Sequence, residues 1–257
     1  MPDRAGWVRV YAGDAPVRLN KFLAQSGVCS RREADALIAA GEVQIDGRLV
    51  DPRGEFVAPG AKVQILQASL IAPGPTFVLN KPVGYVSAQP EAKQIPAARL
   101  LRRKNQIGAG DPPDPKVPLA PLGRLDQDSR GLLLLSQDGV LAKALIGPEA
   151  SVEKEYLVQV SGALTASTLK RLRFGISLDG KKLKRADVSE TEPNLLRFVL
   201  TEGRKRQIRR MCSSVRLRVH DLERVRIGSL RLNALPEGCW RRLSEEERAE
   251  LLNPPNT

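Results

Sequence analysis

Histidine is nearly absent from this chain: His220 is the single one in 257 residues. Cysteine is scarce as well, with Cys29, Cys212 and Cys239 far apart and no C-x-x-C pair. Zinc fingers, zinc ribbons and His-ligated catalytic metals need such ligands clustered at short spacing, so no metal site is expected. A Ser-His-Asp or Cys-His mechanism would have to run through His220, and no motif supports that. Three scattered cysteines do not make a disulfide framework and fit a reducing cytoplasm. Long apolar runs are missing too. Leu132–Leu135 is typical of what there is, far short of the ~20 residues of a membrane-spanning helix. The N-terminal segment lacks the apolar stretch of a signal peptide. A soluble, cytoplasmic protein with neither a membrane nor a metal partner is expected.

What the chain does have is positive charge. Lys and Arg number 41 against 29 Asp and Glu, for a formal net charge of +12. With 42% hydrophobic residues the composition is that of a globular protein. The excess charge predicts a polyanionic partner, nucleic acid first. The length admits two domains, each able to bury a core.

Punctuation divides the chain accordingly. Residues 1–16 read as a weakly ordered lead-in, 17–70 as a first domain, 71–75 as a linker, 76–252 as a second domain and 253–257 as a tail. In the first domain Leu19, Phe22 and Leu23 have helical spacing. Ser30 and Glu33 have the spacing of a capping box that opens a second helix, and Asp46-Gly47 is a hairpin signal. Residues 17–70 carry seven basic and six acidic residues, so bulk charge does not mark an RNA binder. Placement does: Arg18, Lys21, Arg31 and Arg32 fall at the first turns of the two helices, where free N–H groups also favour phosphate.

The second domain alternates short strands with helices. Strands are expected at 77–79, 132–135, 156–160, 195–200 and 225–232, and helices at 140–146, 166–174, 207–213 and 245–252. The pattern predicts an α+β fold with a mainly antiparallel sheet flanked by helices. Residues 107–121 hold five of the 19 prolines and should form an irregular loop.

Without a metal or a histidine cluster, chemistry must rest on carboxylates, Tyr, Lys or Arg. Asp126 follows Arg124 in a glycine-punctuated loop at the edge of an apolar strand, so it can project ionised into a cleft. The competing role, for Asp126 or Asp128, is a turn or helix cap. Between Glu202 and Arg231 ten Lys/Arg face three acids, a local net of +7. This stripe includes Arg204 and Lys205, and Arg206, Arg209 and Arg210 share one helical face. That face suits a phosphate backbone and an ion pair to a cleft carboxylate, or is a solvated basic helix. Tyr156, one of three tyrosines, opens an alternating strand, where it stacks on a base or serves as a half-buried sheet aromatic.

Four segments, KPVGYVS at 81–87, GRLDQDSRGLLLLSQDG at 123–139, EKEYLV at 153–158 and GRKRQIRRM at 203–211, resemble in this order the motifs of pseudouridine synthases. The subgroup resembled acts on bacterial ribosomal RNA. The segment RLNKFLAQSGVCSRREADALIAAGEVQIDGRLV at 18–50 resembles the RNA-binding module named after ribosomal protein S-four, which that subgroup carries at its N-terminus. The resemblance implies an S-four-like α/β module ahead of a larger synthase domain, isomerising a uridine in structured RNA, large-subunit ribosomal RNA first and tRNA second. It assigns Asp126 as the catalytic aspartate, Tyr156 as the active-site tyrosine against the target nucleoside, and Arg209 as the basic residue that ion-pairs with the aspartate. It gives Leu222 as an apolar pocket residue and Arg124 as the arginine that holds the target base flipped out. Such an isomerisation involves no redox change, phosphoryl transfer or second reactant, so no cofactor is expected, and nothing demands more than a monomer. The alternative is a non-catalytic RNA-binding assembly factor with the same fold, against which the intact GRLD speaks. Two departures stand out. Arg216 occupies the position where the family has a glycine after the R-R-M helix, and the 107–121 segment is longer than the usual connection.

Overall fold

The computed structural model describes residues 7–66, 73–88, 90, 91, 93–116 and 118–253. The chain forms two compact units, residues up to Gly74 together with Gln137–Lys143 and the remainder from Pro75 on. In the first, helices Leu19–Gln25 and Arg31–Ala39 share a core with an antiparallel sheet ordered Val8–Val10, Lys62–Ile65, Val43–Ile45, Arg48–Leu49. The capping box forms: Ser30 Oγ accepts from Glu33 N at 3.2 Å, and the Glu33 carboxylate accepts from Ser30 N at 2.5 Å. Asp46 and Gly47 make the hairpin turn between the last two strands, and the Asp46 carboxylate takes the Lys62 N–H at 2.8 Å.

The expected lead-in is corrected over its described part. Val8–Val10 pairs with Lys62–Gln64, and Trp7 is buried with its ring 6.2 Å from that of Phe22. An exposed three-residue edge strand carries too little alternation to be read from sequence, although its tryptophan anchors it. Residues 1–6, 71–72 of the expected linker and 254–257 of the expected tail lie outside the described residues.

The second unit is built on one mixed sheet. Its order is Asp187–Glu192, Leu195–Leu200, Lys154–Ser161, Arg218–Ile227, Arg130–Ser136, Thr76–Lys81, Trp240–Arg242. Every neighbouring pair is antiparallel except Arg130–Ser136 with Arg218–Ile227, which run parallel at Arg130↔Glu223 and Gly131↔Arg224. Leu132 to Leu135 are all fully buried, as a central strand covered on both faces requires. Leu172 of helix Ala166–Arg173 and Ile208, Met211 and Cys212 of helix Gln207–Ser214 pack into the same core as Phe77, Leu133, Val158, Phe198 and Trp240.

The single strand expected at 225–232 is two. Arg218–Ile227 turns at Gly228-Ser229, and Leu230–Arg231 pairs back onto it. Of the irregular loop expected at 107–121, the described residues up to 119 hold no strand or helix, but Ala120–Pro121 is a short strand paired with Leu135 and Ser136.

Helix Gln207–Ser214 ends in a Schellman motif: Leu217 N donates to Cys212 O at 2.9 Å and Arg216 N to Ser213 O at 3.0 Å. Arg216 sits between them at φ 64°, the left-handed conformation that the usual glycine would serve. Its side chain is exposed. Arg216→Gly is therefore expected to stabilise the protein by about 0.5–1 kcal/mol, relief of strain outweighing the extra freedom of glycine in the unfolded chain. Urea denaturation of both proteins measures it, and a lower midpoint for the variant would contradict the strain argument.

Candidate active site

The second unit contains an open cavity of about 860 Å³ at the loop between Gly123 and Ser129. Neighbouring motifs hold this loop by its backbone. The Ser87 hydroxyl accepts from Leu125 N at 2.8 Å and donates to Leu125 O at 2.8 Å, pinning the residue before Asp126 at both ends. Gly84 N donates to Gln127 O at 2.8 Å, and Gln127 Nε2 returns a bond to Gly84 O at 3.1 Å. Lys81 Nζ donates to Ser129 O at 2.7 Å and to Pro82 O at 2.8 Å. Three residues of KPVGYVS thus position GRLDQDS, which explains physically why the two segments occur together.

Lys81 is fully buried, and burial pushes its ammonium down to about 8 against the opposing pull of Asp128 and Asp126. Between about 8 and the ordinary 10.5 the unfolded chain holds this proton while the native one has lost it. Stability conferred through Lys81 must therefore rise with pH across that window. Comparing urea midpoints at several pH values from about 8 to 10.5 should show this rise in the wild type and a flatter profile in Lys81→Met. Parallel profiles would place the charge of Lys81 in water.

Asp126 is half-buried and lines the cavity. Among the described residues its carboxylate makes no hydrogen bond and no ion pair, although the charges of Lys81 and Arg206 act on it. Asp128, two residues on, is fully engaged: Arg206 grips it bidentately at 3.0 and 2.8 Å. Arg206, with Arg209 behind it, holds the Asp128 carboxyl below the usual carboxylate range.

Arg209 differs from its expected place. Its Nη2 donates to Asp128 O at 2.6 Å, and its Nε lies 3.3 Å from the Asp128 carboxylate rather than pairing with Asp126. The reason is the turn closed by Ser129 N on Asp126 O at 3.1 Å, which turns the Asp128 carbonyl and carboxylate toward the helix. Sequence spacing alone does not say which of two aspartates two residues apart meets the arginine.

Tyr156, 9% exposed, also lines the cavity, where the pairing of its strand with Arg218–Ile227 shifts register between Glu155 and Tyr156. Such an irregularity re-aims a side chain and is common beside active sites. Leu222 and Arg124 line the same cavity, as do Arg204, Lys205 and Arg206. Arg210 pairs with Asp179 at 2.6 Å and is not among the lining residues. Arg18, Lys21, Arg31 and Arg32 are exposed in the other unit, with Arg18 5.2 Å above the Phe56 ring.

Arg224 is a site residue that the motifs do not single out. It is 1% exposed, sits opposite both Tyr156 and Gly131, donates through Nε to Leu132 O at 2.8 Å, and lines the cavity. Its Nη2 is buried without a hydrogen-bond partner, leaving a donor on a cation beside the cavity. The signal in the sequence is an arginine at an inward-facing position of an alternating strand, which reads as one more member of a basic stripe. The described residues contain no cluster of His, Cys, Asp or Glu able to hold a metal ion, and no helix long and apolar enough to cross a membrane.

A two-helix module with a small sheet, and a mixed sheet whose loop presents an unpaired aspartate to a basic cavity, fit the class of RNA-modifying enzyme whose motifs the sequence resembles. Residues 75–214 match the RNA pseudouridylate synthase family and residues 17–63 the S4 domain. The chain belongs to the RNA pseudouridylate synthase family and is an isomerase that acts on RNA. It is 35% identical over 243 residues to the dual-specificity RNA pseudouridine synthase RluF of Escherichia coli, covering 93% of this chain and 79% of that one. An RNA pseudouridine synthase of Aquifex aeolicus is 35% identical over 247 residues, covering 93% of this chain and all of that one. A solved structure described as a pseudouridylate synthase superposes with a TM-score of 0.63 at 26% identity, over 91% of this chain and 99% of that one.

Proposed function

We propose that this enzyme isomerises a uridine of structured ribosomal RNA, with tRNA as a second substrate class, and that Asp126 is its catalytic group. The observation that carries the assignment is the partnering of carboxylates. Of the two acids lining the cavity, Glu202 accepts from Lys184 N and Gln207 Nε2, both at 3.0 Å, whereas Asp126 has no such partner among the described residues. The reaction breaks the bond from ribose C1′ to uracil N1 and makes one from C1′ to C5; C5 gives up its proton and N1 gains one. A free carboxylate is suited to engage the ribose while the base turns.

Tyr156 packs against the nucleoside, Leu222 forms the apolar wall, and Arg124, exposed at the mouth, holds the base out of its stack. The unstacking costs a few kcal/mol, which backbone contacts to basic side chains offset. Arg209 acts through Asp128 and the loop backbone. Arg18, Lys21, Arg31 and Arg32 of the S4 domain dock the RNA by its phosphates. The enzyme works as a monomer in the cytoplasm, where its substrate is, and needs no cofactor.

Mapping pseudouridines in ribosomal RNA and tRNA from cells with and without this protein tests the reading. At least one uridine should lose its modification when the protein is removed and regain it with the purified enzyme. Maps that do not differ would favour the RNA-binding factor that lacks the reaction.

A further inference from the structure

The basic stripe at 202–231 spends much of its charge internally. Arg206 and Arg209 serve Asp128, Arg210 serves Asp179, and Arg226 serves Glu153 and Glu155. Arg204, a lining residue of the cavity, donates to three backbone carbonyls, those of Leu178, Lys181 and Lys182, at 3.1 to 3.2 Å. Those carbonyls belong to a small hairpin, Ser177–Leu178 with Lys181–Lys182. Arg210 grips the Asp179 carboxylate at its turn, and Lys184 N donates to Glu202 at 3.0 Å. The hairpin is therefore bolted to the rim of the cavity.

Its own charge is left over. Residues 170–185 carry seven Lys and Arg against Asp179 alone. Lys181 and Lys184 are exposed, and their side chains make no ion pair or hydrogen bond among the described residues. Beside them Phe174 is 50% exposed, with Lys182 Nζ 4.1 Å and the Arg185 guanidinium 5.6 Å from its ring centroid. A merely solvated basic face needs neither a half-exposed phenyl ring nor three backbone bonds to the rim of a cavity.

We propose that Phe174 and the arm formed by Lys181, Lys182, Lys184 and Arg185 are a further RNA-binding site, apart from the cavity and the S4 domain, taking the single-stranded stretch that flanks the target uridine. The cations follow the phosphates, and the ring offers a stacking face for one base, the combination by which proteins hold single strands without reading sequence. The arm's rigid attachment beside the cavity lets it fix the direction in which the strand leaves. The inference rests on the chain acting on RNA, but its test needs no turnover, so failure of either can be told apart.

The probe is a fluorescent twelve-nucleotide oligouridylate, with an RNA duplex of equal length as control, binding to the full chain over a range of salt. Changing the four arm cations to Gln should weaken oligouridylate binding at least tenfold and lower the magnitude of the log Kd against log salt slope by about 3, as loss of four phosphate contacts to a single strand requires. Phe174→Ala should weaken it by roughly tenfold with the slope unchanged, and Phe174→Tyr should restore it. Duplex binding should change by less than half as much. Because all five side chains are exposed, unchanged thermal midpoints will show that the variants are folded. An unchanged affinity and slope in the four-cation variant, or equal losses on single strand and duplex, would overturn the proposal.

Discussion

Asp126→Asn is expected to lose pseudouridine formation by a factor on the order of 10³ or more while binding RNA about as tightly as the wild type. The amide has the shape of the carboxylate but carries no charge and no basic oxygen, so it can neither attack the ribose nor take a proton from it. The loop should survive the change, because it is held by its backbone. Ser87 pins Leu125, Gly84 pins Gln127 and Lys81 pins Ser129, and none of these bonds involves the Asp126 side chain. Removing one negative charge from the edge of a basic cavity slightly favours a polyanion. Release of tritium from RNA labelled at uracil C5 measures turnover directly, since that position loses its proton when the new bond forms. Asp128→Asn is the informative comparison: it weakens the grip of Arg206 and the ion pair of Arg209 Nε with the carboxylate and should lower turnover through disorder of the loop, with a fall in thermal midpoint that Asp126→Asn does not show. Activity retained in Asp126→Asn would transfer the chemistry to another group.

Much of the candidate site's geometry was legible because its loop is punctuated by glycines. Gly123, Asp126 and Gly131 stand at fixed intervals before a run of four leucines, and that run is the sheet's buried centre. Helices Gln207–Ser214 and Glu245–Leu252 fall close to where the pattern of apolar residues and caps places them. What the sequence hid were edges and partners. Asp187–Glu192 and Trp240–Arg242 lie at the two ends of the sheet order, and a strand paired on one side shows little apolar alternation. The choice of Arg209 for Asp128 over Asp126 is a matter of which way a turn points. Arg224 and Lys81 look in sequence like surface cations, and only the sheet register puts them inside. Charge counted along the chain located a stripe at 202–231; ion pairing occupies Arg206, Arg209, Arg210 and Arg226 of it and leaves exposed Lys205, Arg216, Arg218 and Arg231, in addition to the unpaired cations near Phe174.

Gly131→Ala should be among the most damaging single substitutions outside the reacting groups. Gly131 has φ +103°, and a Cβ there would lie 2.4 Å from Arg224 O and 2.7 Å from Arg224 N, both backbone atoms. The neighbouring strand cannot retreat easily, because Arg224 is locked by its own bond to Leu132 O and stands opposite Tyr156. Nor can the Gly131 strand shift the other way, where it pairs with Lys81. The cost should exceed about 4 kcal/mol, a large share of the roughly 5–15 kcal/mol that holds a typical domain together, and lower the thermal midpoint by roughly 10 °C or more. Gly180→Ala separates the causes. Gly180 also has positive φ, +72°, but nothing lies within 4 Å of the place a methyl group would take, so this change should cost only about 1 kcal/mol. Equal losses in the two variants would mean that backbone conformation alone is responsible and that the strands can part. A far larger loss at Gly131, with turnover falling in whatever protein remains folded, would mean that the contact between these two parallel strands sets the position of the loop carrying Asp126.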